Sequence, residues 1–286
     1  MKGYTFMFLS VLCIAAMGSI VNLIENISVF TIAFYRLLFG AIALAVIMPF
    51  LDRNFLKVSK KDLLNFTLIG FILAINIPIY FAAFIFAPVS NVLILETLYP
   101  LFVILFASIF LREKTTRNEL IALLIAVIAM LMLNPLSSGY ALGNLLAVAN
   151  AVTFAILIVY LRYEDKSHSI GFVFWYILFG MLFLLPVPFL FGFGNLSGNL
   201  HWLLMLGLFS TAFYFIFLNY ALEHLRADVA SLIGITLYPF LGILIALLVL
   251  GQFPTVKMAI GGAMLILGAS LVVRETSKHH HILRKP

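Results

Sequence analysis

Stretch after stretch of this chain runs for about 20 residues without a charged side chain, long enough at ~1.5 Å per residue to cross the roughly 30 Å of hydrocarbon in a bilayer. A surface helix of a water-soluble domain would alternate apolar and polar faces, and these segments do not. With 64% apolar residues, 10% charged ones and a mean hydropathy of +1.19, the 286-residue chain is excluded from the soluble globular class. Its solvent is expected to be the lipid bilayer, and its fold class all-α integral membrane. The single cysteine, Cys13, allows no internal disulfide, and no Cys or His spacing resembles a metal site.

Apolar runs bounded by charge, Gly, Pro or Asn place ten expected transmembrane helices, near residues 4–24, 29–51, 63–86, 89–111, 119–134, 141–161, 171–191, 201–222, 229–250 and 256–273. Counted on alternate sides, the Lys and Arg residues outside these spans fall fifteen to one. Lys2, Arg53, Lys57, Lys60, Lys61, Arg112, Lys114, Arg117, Arg162, Lys166, Arg226, Arg274, Lys278, Arg284 and Lys285 share one side, and Lys257 stands alone on the other. Basic residues collect on the cytoplasmic face, so both termini are expected inside, and the net charge of +6 calls for no nucleic-acid partner. The first span, with Lys2 ahead of it and Ala15 and Ala16 near its end, has the look of a signal peptide. Removing it would leave an odd number of spans and destroy the repeat described next, so it is read as a span.

Slid against itself by 140 residues, the chain places AFYRLLFG (33–40) on VFWYILFG (173–180), matching Phe34, Leu38, Phe39 and Gly40 with Phe174, Leu178, Phe179 and Gly180. Tyr80 meets Tyr220, and at an offset of 139 the tetrapeptide TLYP (97–100) meets TLYP (236–239). Ordered matches at nearly one offset indicate duplication. Each copy holds five spans; because five is odd, the second enters the bilayer upside down relative to the first. Two inverted five-helix repeats, residues 1–136 and 137–275, with a cytoplasmic tail at 276–286, are therefore expected. Many secondary transporters use this architecture, since two similar halves that exchange conformations open a central site on alternate sides.

The span-two segment "FYRLLFGAIAL", the stretch "LETLYPLFVILFASIFLREKTTRNELIALLIAVIAML" (95–131) and its second copy "ITLYPFLGILIALLVLGQFPTVKMAIGGAMLILGASLVV" (235–273) resemble the EamA branch of the drug/metabolite transporter superfamily over nearly the whole chain. The resemblance implies a ten-helix carrier, commonly an exporter of amino acids or other small metabolites. The sequence departs from the family pattern at Gln252, where a Glu matching Glu113 is usual.

Only two formally charged side chains lie well inside spans, Arg36 and Glu96, and burying either costs at least about 2.5 kcal/mol on insertion scales. Both sit about seven residues, or ~10 Å, below the outer face, so they share a depth. Three readings stay open: a structural ion pair pinning two helices; a functional pair in which Glu96 binds a proton or a substrate ammonium while Arg36 binds a carboxylate or modulates the pKa of Glu96; or an Arg36 that snorkels outward. The second half has Tyr176 and Ile235 at the matching places, so whatever the charges do, one half does it. Pro100 and Pro239 each remove a backbone donor and clash with the carbonyl four residues back, which makes them either static kinks or hinges that move during transport, the paired placement favouring the hinge.

Asn76, Tyr80, Tyr214, Asn219 and Tyr220 put polar tips inside apolar helices, either as inter-helix hydrogen bonds or as cavity lining. Tyr99 and Tyr238, beside the prolines, are the better cavity candidates. Gly261, Gly262 and Gly268 read as close-packing positions, Trp175 and Trp202 as interfacial anchors, and His279, His280 and His281 as a solvated tail without metal. No phosphate loop is present, so ATP-driven pumping is unsupported and no cofactor is expected. The expected function is secondary transport of a small organic metabolite by alternating access across the cytoplasmic membrane, as an exporter and with protons as a coupling option. A lipid flippase is the alternative; a membrane-embedded enzyme or a channel fits less well. A homodimer is left open.

Overall fold

The computed structural model describes residues 2–52, 54–110, 112, 115–133, 139–163, 170–225 and 227–283. Every regular element among them is helical. In chain order these are α1 (Lys2–Ala15), α2 (Met17–Leu23), α3 (Val29–Leu51), α4 (Lys60–Phe86), α5 (Val89–Glu96), α6 (Tyr99–Phe110), α7 (Arg117–Leu133), α8 (Ala141–Tyr163), α9 (Ile170–Leu184), α10 (Val187–Phe191) and α11 (Leu196–Gly207). A π-helical turn (Leu208–Phe213) follows, then α12 (Tyr214–His224), α13 (Ala227–Leu250) and α14 (Val256–Leu283).

Among the described residues, eight segments are long and apolar enough to cross a membrane: Lys2–Leu23, Val29–Leu51, Lys60–Phe86, Val89–Phe110, Ala141–Leu161, Gly171–Phe191, Leu196–His224 and Ile233–Leu250. They fall on eight of the ten expected spans, and the protein is a multi-pass helical membrane protein. The remaining two positions are also helical. They are α7, of 17 residues, and α14, whose apolar stretch Val256–Leu271 is shorter and whose helix continues to Leu283, past the span end expected near 273.

Local chemistry sets the helix starts. Ser28 caps α3 by accepting from the Thr31 N–H at 3.1 Å, Ser59 and Asp62 form a reciprocal capping box at α4, and Asn195 accepts from the Gly198 N–H at 3.1 Å to start α11. Within the bundle, Pro49, Pro78 and Pro239 sit inside unbroken helices, as membrane helices tolerate. The segment Val89–Phe110 is different. It breaks between α5 and α6, where Thr97 and Leu98 bond only three residues back, to Ile94 and Leu95, at 3.1 and 3.2 Å.

The helices pack in a pattern that respects the sequence offset. α4 lies against α8 as α1 lies against α12, while α3 packs on α9 and α7 on α14. The closest approaches use glycine. A Cβ on Gly207 would fall 2.4 Å from Phe39 Cβ and 2.9 Å from the Gly40 nitrogen; one on Gly70 would fall 2.6 Å from Phe179 Cβ and 2.7 Å from the Gly180 nitrogen. The Phe-Gly pair of each copy thus receives a bare backbone from the other, which is how small residues let membrane helices touch. Gly261 and Gly262 are pressed against Leu133 and Ile94 in the same manner. Fully buried Phe66, Phe81 and Phe84 fill the interior, whereas Phe50, Phe189 and Leu248 stand outward, where lipid is the solvent.

Among the described residues, hydrogen bonds tie the two sequence copies together at both ends of the bundle. At one end the Glu25 N–H donates to Asn199 Oδ1 at 3.1 Å and Asn199 Nδ2 returns a bond to the Glu25 carbonyl at 2.9 Å. The Asn195 N–H donates to the Asn26 carbonyl at 3.2 Å, Thr31 Oγ1 to that of Gly192 at 3.0 Å and the Tyr35 hydroxyl to that of Phe193 at 3.3 Å. This seam needs Gly194, which has φ 65° and leaves no room for a Cβ beside the Asn26 carbonyl. At the other end Trp175 Nε1 donates to the Phe55 carbonyl at 2.7 Å and Tyr160 to Asn65 at 3.0 Å.

Candidate functional site

α3 delivers Arg36, 7% exposed, to the π turn rather than to a carboxylate. Its Nε donates to Thr211 Oγ1 at 3.1 Å, its Nη2 to the Ser210 carbonyl at 2.9 Å, and its guanidinium lies 5.5 Å from the centre of the Phe81 ring. Nη1 meets no acceptor among the described residues, and it is absent from the sealed, unpartnered polar atoms of the interior. A guanidinium has five N–H donors in a fixed fork, so this one keeps donors for another group.

Glu96 ends α5 at the helix break, and its Oε2 accepts from the Tyr80 hydroxyl of α4. Tyr80 also shares a hydrogen bond of 2.7 Å with the Tyr238 hydroxyl of α13. The carboxylate is therefore held by a tyrosine pair contributed by both sequence copies. Asn150 of α8 interacts with it too. Asn150 in turn accepts from Asn76 Nδ2 at 2.7 Å, and Thr153 Oγ1 accepts from the same nitrogen at 2.7 Å.

The direct pairing of Arg36 with Glu96 is not what forms. α3 and α5 do not pack along one another, and each side chain bonds to nearer partners on other helices. The two charges nevertheless lie within electrostatic reach, with Tyr214 and Tyr238 within reach of both and Tyr99 within reach of Glu96 and Tyr214. Tyr99 stands edge-on to Phe154 at 5.0 Å, and Tyr176 edge-on to Phe215 at 6.0 Å. Opposite charges ringed by tyrosines make an interior cluster that is neutral overall, able to donate to an anionic group at one place and accept from a cationic group at another.

Other expected positions fall elsewhere. Tyr220 stacks on Phe6 at 5.4 Å and lines a separate cleft of about 480 Å³ with Lys2, Thr5 and His224. Asn219, half-buried, precedes it on α12. Pro100 follows the helix break by two residues, while Pro239 lies inside the continuous α13. Gln252 accepts from the Val89 N–H at 2.9 Å and so caps α5 from outside it. Glu113 and the side chains of His279, His280 and His281 lie outside the described residues.

Sequence reasoning missed Ser210, Thr211, Asn150 and Thr153. A signal existed for the last two. They fall 140 residues after Ser10 and Cys13, and both pairs bond across to another helix: Asn150 and Thr153 to Asn76, Ser10 to the Tyr214 carbonyl and the Cys13 carbonyl to Ser210.

A helical bundle of this kind, with an acid and a base sequestered among tyrosines in its interior, has the build of a membrane transporter rather than an enzyme. The chain belongs to the EamA-like transporter family, whose model matches residues 1–134 and again residues 141–274. It is 27% identical over 271 residues to an uncharacterized transporter of Archaeoglobus fulgidus, covering 93% of this chain and 95% of that one. To a protein of Rickettsia prowazekii named as an S-adenosylmethionine uptake transporter it is 24% identical, covering 87% and 84% of the two chains. A crystal structure with 18% identity superposes with a TM-score of 0.66 over 94% of this chain and 95% of its own, which speaks for the fold alone.

Proposed function

We propose that the protein is a secondary carrier of the cytoplasmic membrane. In this reading ten crossings form two inverted halves with both termini inside, and a small zwitterionic metabolite of amino-acid type passes between them by alternating access. The carrying observation is the pair of opposite charges, Arg36 and Glu96, held apart by separate partners within one tyrosine-lined interior. Arg36 donates to the substrate carboxylate, Glu96 accepts from its ammonium, and the aromatic faces take any further positive charge. S-adenosylmethionine, named for the Rickettsia relative, has all three groups. Export is the direction that the family resemblance favours, whereas that relative is named for uptake; a carrier runs down the gradient it is given.

Counterflow in sealed proteoliposomes tests the reading. Vesicles loaded with S-adenosylmethionine or a panel of amino acids are expected to accumulate the labelled compound saturably, and Arg36→Met and Glu96→Gln to abolish it. Single-channel currents, or scrambling of labelled lipid without counterflow, would overturn it. Proton coupling through Glu96 is tested alongside: a Glu96→Gln protein that keeps full transport driven by a pH gradient removes that role.

A further inference from the structure

Arg36 finds its acceptors because a helix departs from α geometry. In an α-helix the Tyr214 N–H would bond to the Ser210 carbonyl, four residues back. Here it reaches the carbonyls of Phe209 and Thr211 instead, and the Ser210 carbonyl accepts from Arg36 Nη2. Thr211 Oγ1 accepts from Arg36 Nε and donates to the Leu206 carbonyl, five residues back, at 3.3 Å. α1 braces the far side: Ser210 Oγ donates to the Cys13 carbonyl at 3.1 Å and Ser10 Oγ to the Tyr214 carbonyl at 3.0 Å, both serines being completely buried. Gly40, one helical turn after Arg36 on the same face, would set a Cβ 2.7 Å from Thr211 Cγ2, so its bare backbone brings α3 close enough for the arginine to reach.

We propose that Ser210 and Thr211 are positioning residues for Arg36, and that their π turn is a switch that rewinds to α when a substrate carboxylate takes the guanidinium. The proposal rests on the reading that Arg36 meets such a carboxylate. The Nε and Nη2 side of a guanidinium is one on which a carboxylate docks by two parallel bonds, and the π turn already fills that side. A carboxylate that docks there displaces both acceptors. The Ser210 carbonyl then returns to the Tyr214 N–H, so the exchange strands neither backbone group. Moving the bond by one residue turns α12 by ~100° and shifts it by ~1.5 Å relative to α11. Tyr214, within reach of both charges, goes with it. π turns inside α-helices recur at functional sites, and two registers of one helix form a two-state element that a ligand can bias.

Hydrogen–deuterium exchange on the purified full-length protein, followed by mass spectrometry over residues 208–215 with no ligand added, tests the switch. Losing the guanidinium should let the turn rewind, so exchange there slows by about tenfold in Arg36→Met, and likewise in Arg36→Gln should the first variant not fold. Mere loss of packing would speed exchange; faster or unchanged exchange overturns the proposal. Counterflow of S-adenosylmethionine tests the positioning role. Thr211→Val removes an acceptor that the carboxylate must displace, so KM should fall several-fold with Vmax preserved, and Thr211→Ser should restore it; an unchanged or raised KM, or no rescue by serine, overturns that role. A wild-type protein that carries no S-adenosylmethionine removes the substrate reading, and the ligand-free exchange result still decides the switch.

Discussion

The tetrapeptide TLYP stands in two membrane segments and folds two ways. At Thr97–Pro100 the helix breaks and restarts; at Thr236–Pro239 it runs on through α13. Proline is common to both, so proline alone does not make the break. What differs is the environment of the preceding residues. Thr97 is buried and its hydroxyl donates to the Ile94 carbonyl at 2.6 Å, competing with the helical ladder, whereas Thr236 is exposed and reaches Ile233 only at 3.3 Å. Before Thr97 stands Glu96, anchored to Tyr80; before Thr236 stands Ile235, a plain apolar contact. A shared motif supplies the weakness, and tertiary contacts decide which copy yields.

The most drastic way to break this comparison is to make the copies read alike. Glu96→Ile is expected to lower transport by about 100-fold or more, equivalent to roughly 2.7 kcal/mol. The detergent melting temperature should hold or rise, because replacing a buried charge by an apolar side chain is often neutral or stabilising. Parallel loss of both would return the site to a structural role. Next come the prolines. Pro100→Ala should slow counterflow by about tenfold, near 1.4 kcal/mol on the barrier, by letting α5 and α6 join, while Pro239→Ala stays within about twofold. Equal effects at the two positions would mean that the hinge belongs to the motif and not to its setting. Smaller still, Thr97→Val should cost about 1 kcal/mol of unfolding stability, measured by thermal or denaturant melting, against less than about 0.5 kcal/mol for Thr236→Val. Gln252→Ala, which uncaps α5 just ahead of the break, should cost about 0.5–1 kcal/mol, and Gln252→Glu should recover it, since a carboxylate accepts from the same Val89 N–H.

Much of the fold lies open in the sequence because hydrocarbon imposes a length and a polarity that few segments meet by chance. The copies of the Phe-Gly pair are legible for the same reason that they matter: each marks a close contact that an insertion would spoil. Arg36 and Glu96 stand out as the only charges deep in their spans. Their partners do not, because partnership depends on which helices meet. Nothing in residues 29–51 says that Arg36 turns toward Ser210 and Thr211 rather than Glu96. One clue was there to be counted. Gly70 precedes Tyr80 by ten residues, whereas Gly207, in the equivalent contact, precedes Tyr220 by thirteen, and the π turn lies in that longer interval. Tyr220 illustrates the opposite limit: its sequence match to Tyr80 is sound, yet the first tyrosine faces Glu96 and the second faces Lys2 and His224.

The seam through Glu25, Asn26, Asn199 and Gly194 acts as a latch. Among the described residues five hydrogen bonds join the first sequence copy to the second there, so that end opens only when all five give way together. Under the alternating-access reading proposed above, unfastening that door would be a step in its own right, separate from the passage of the cargo.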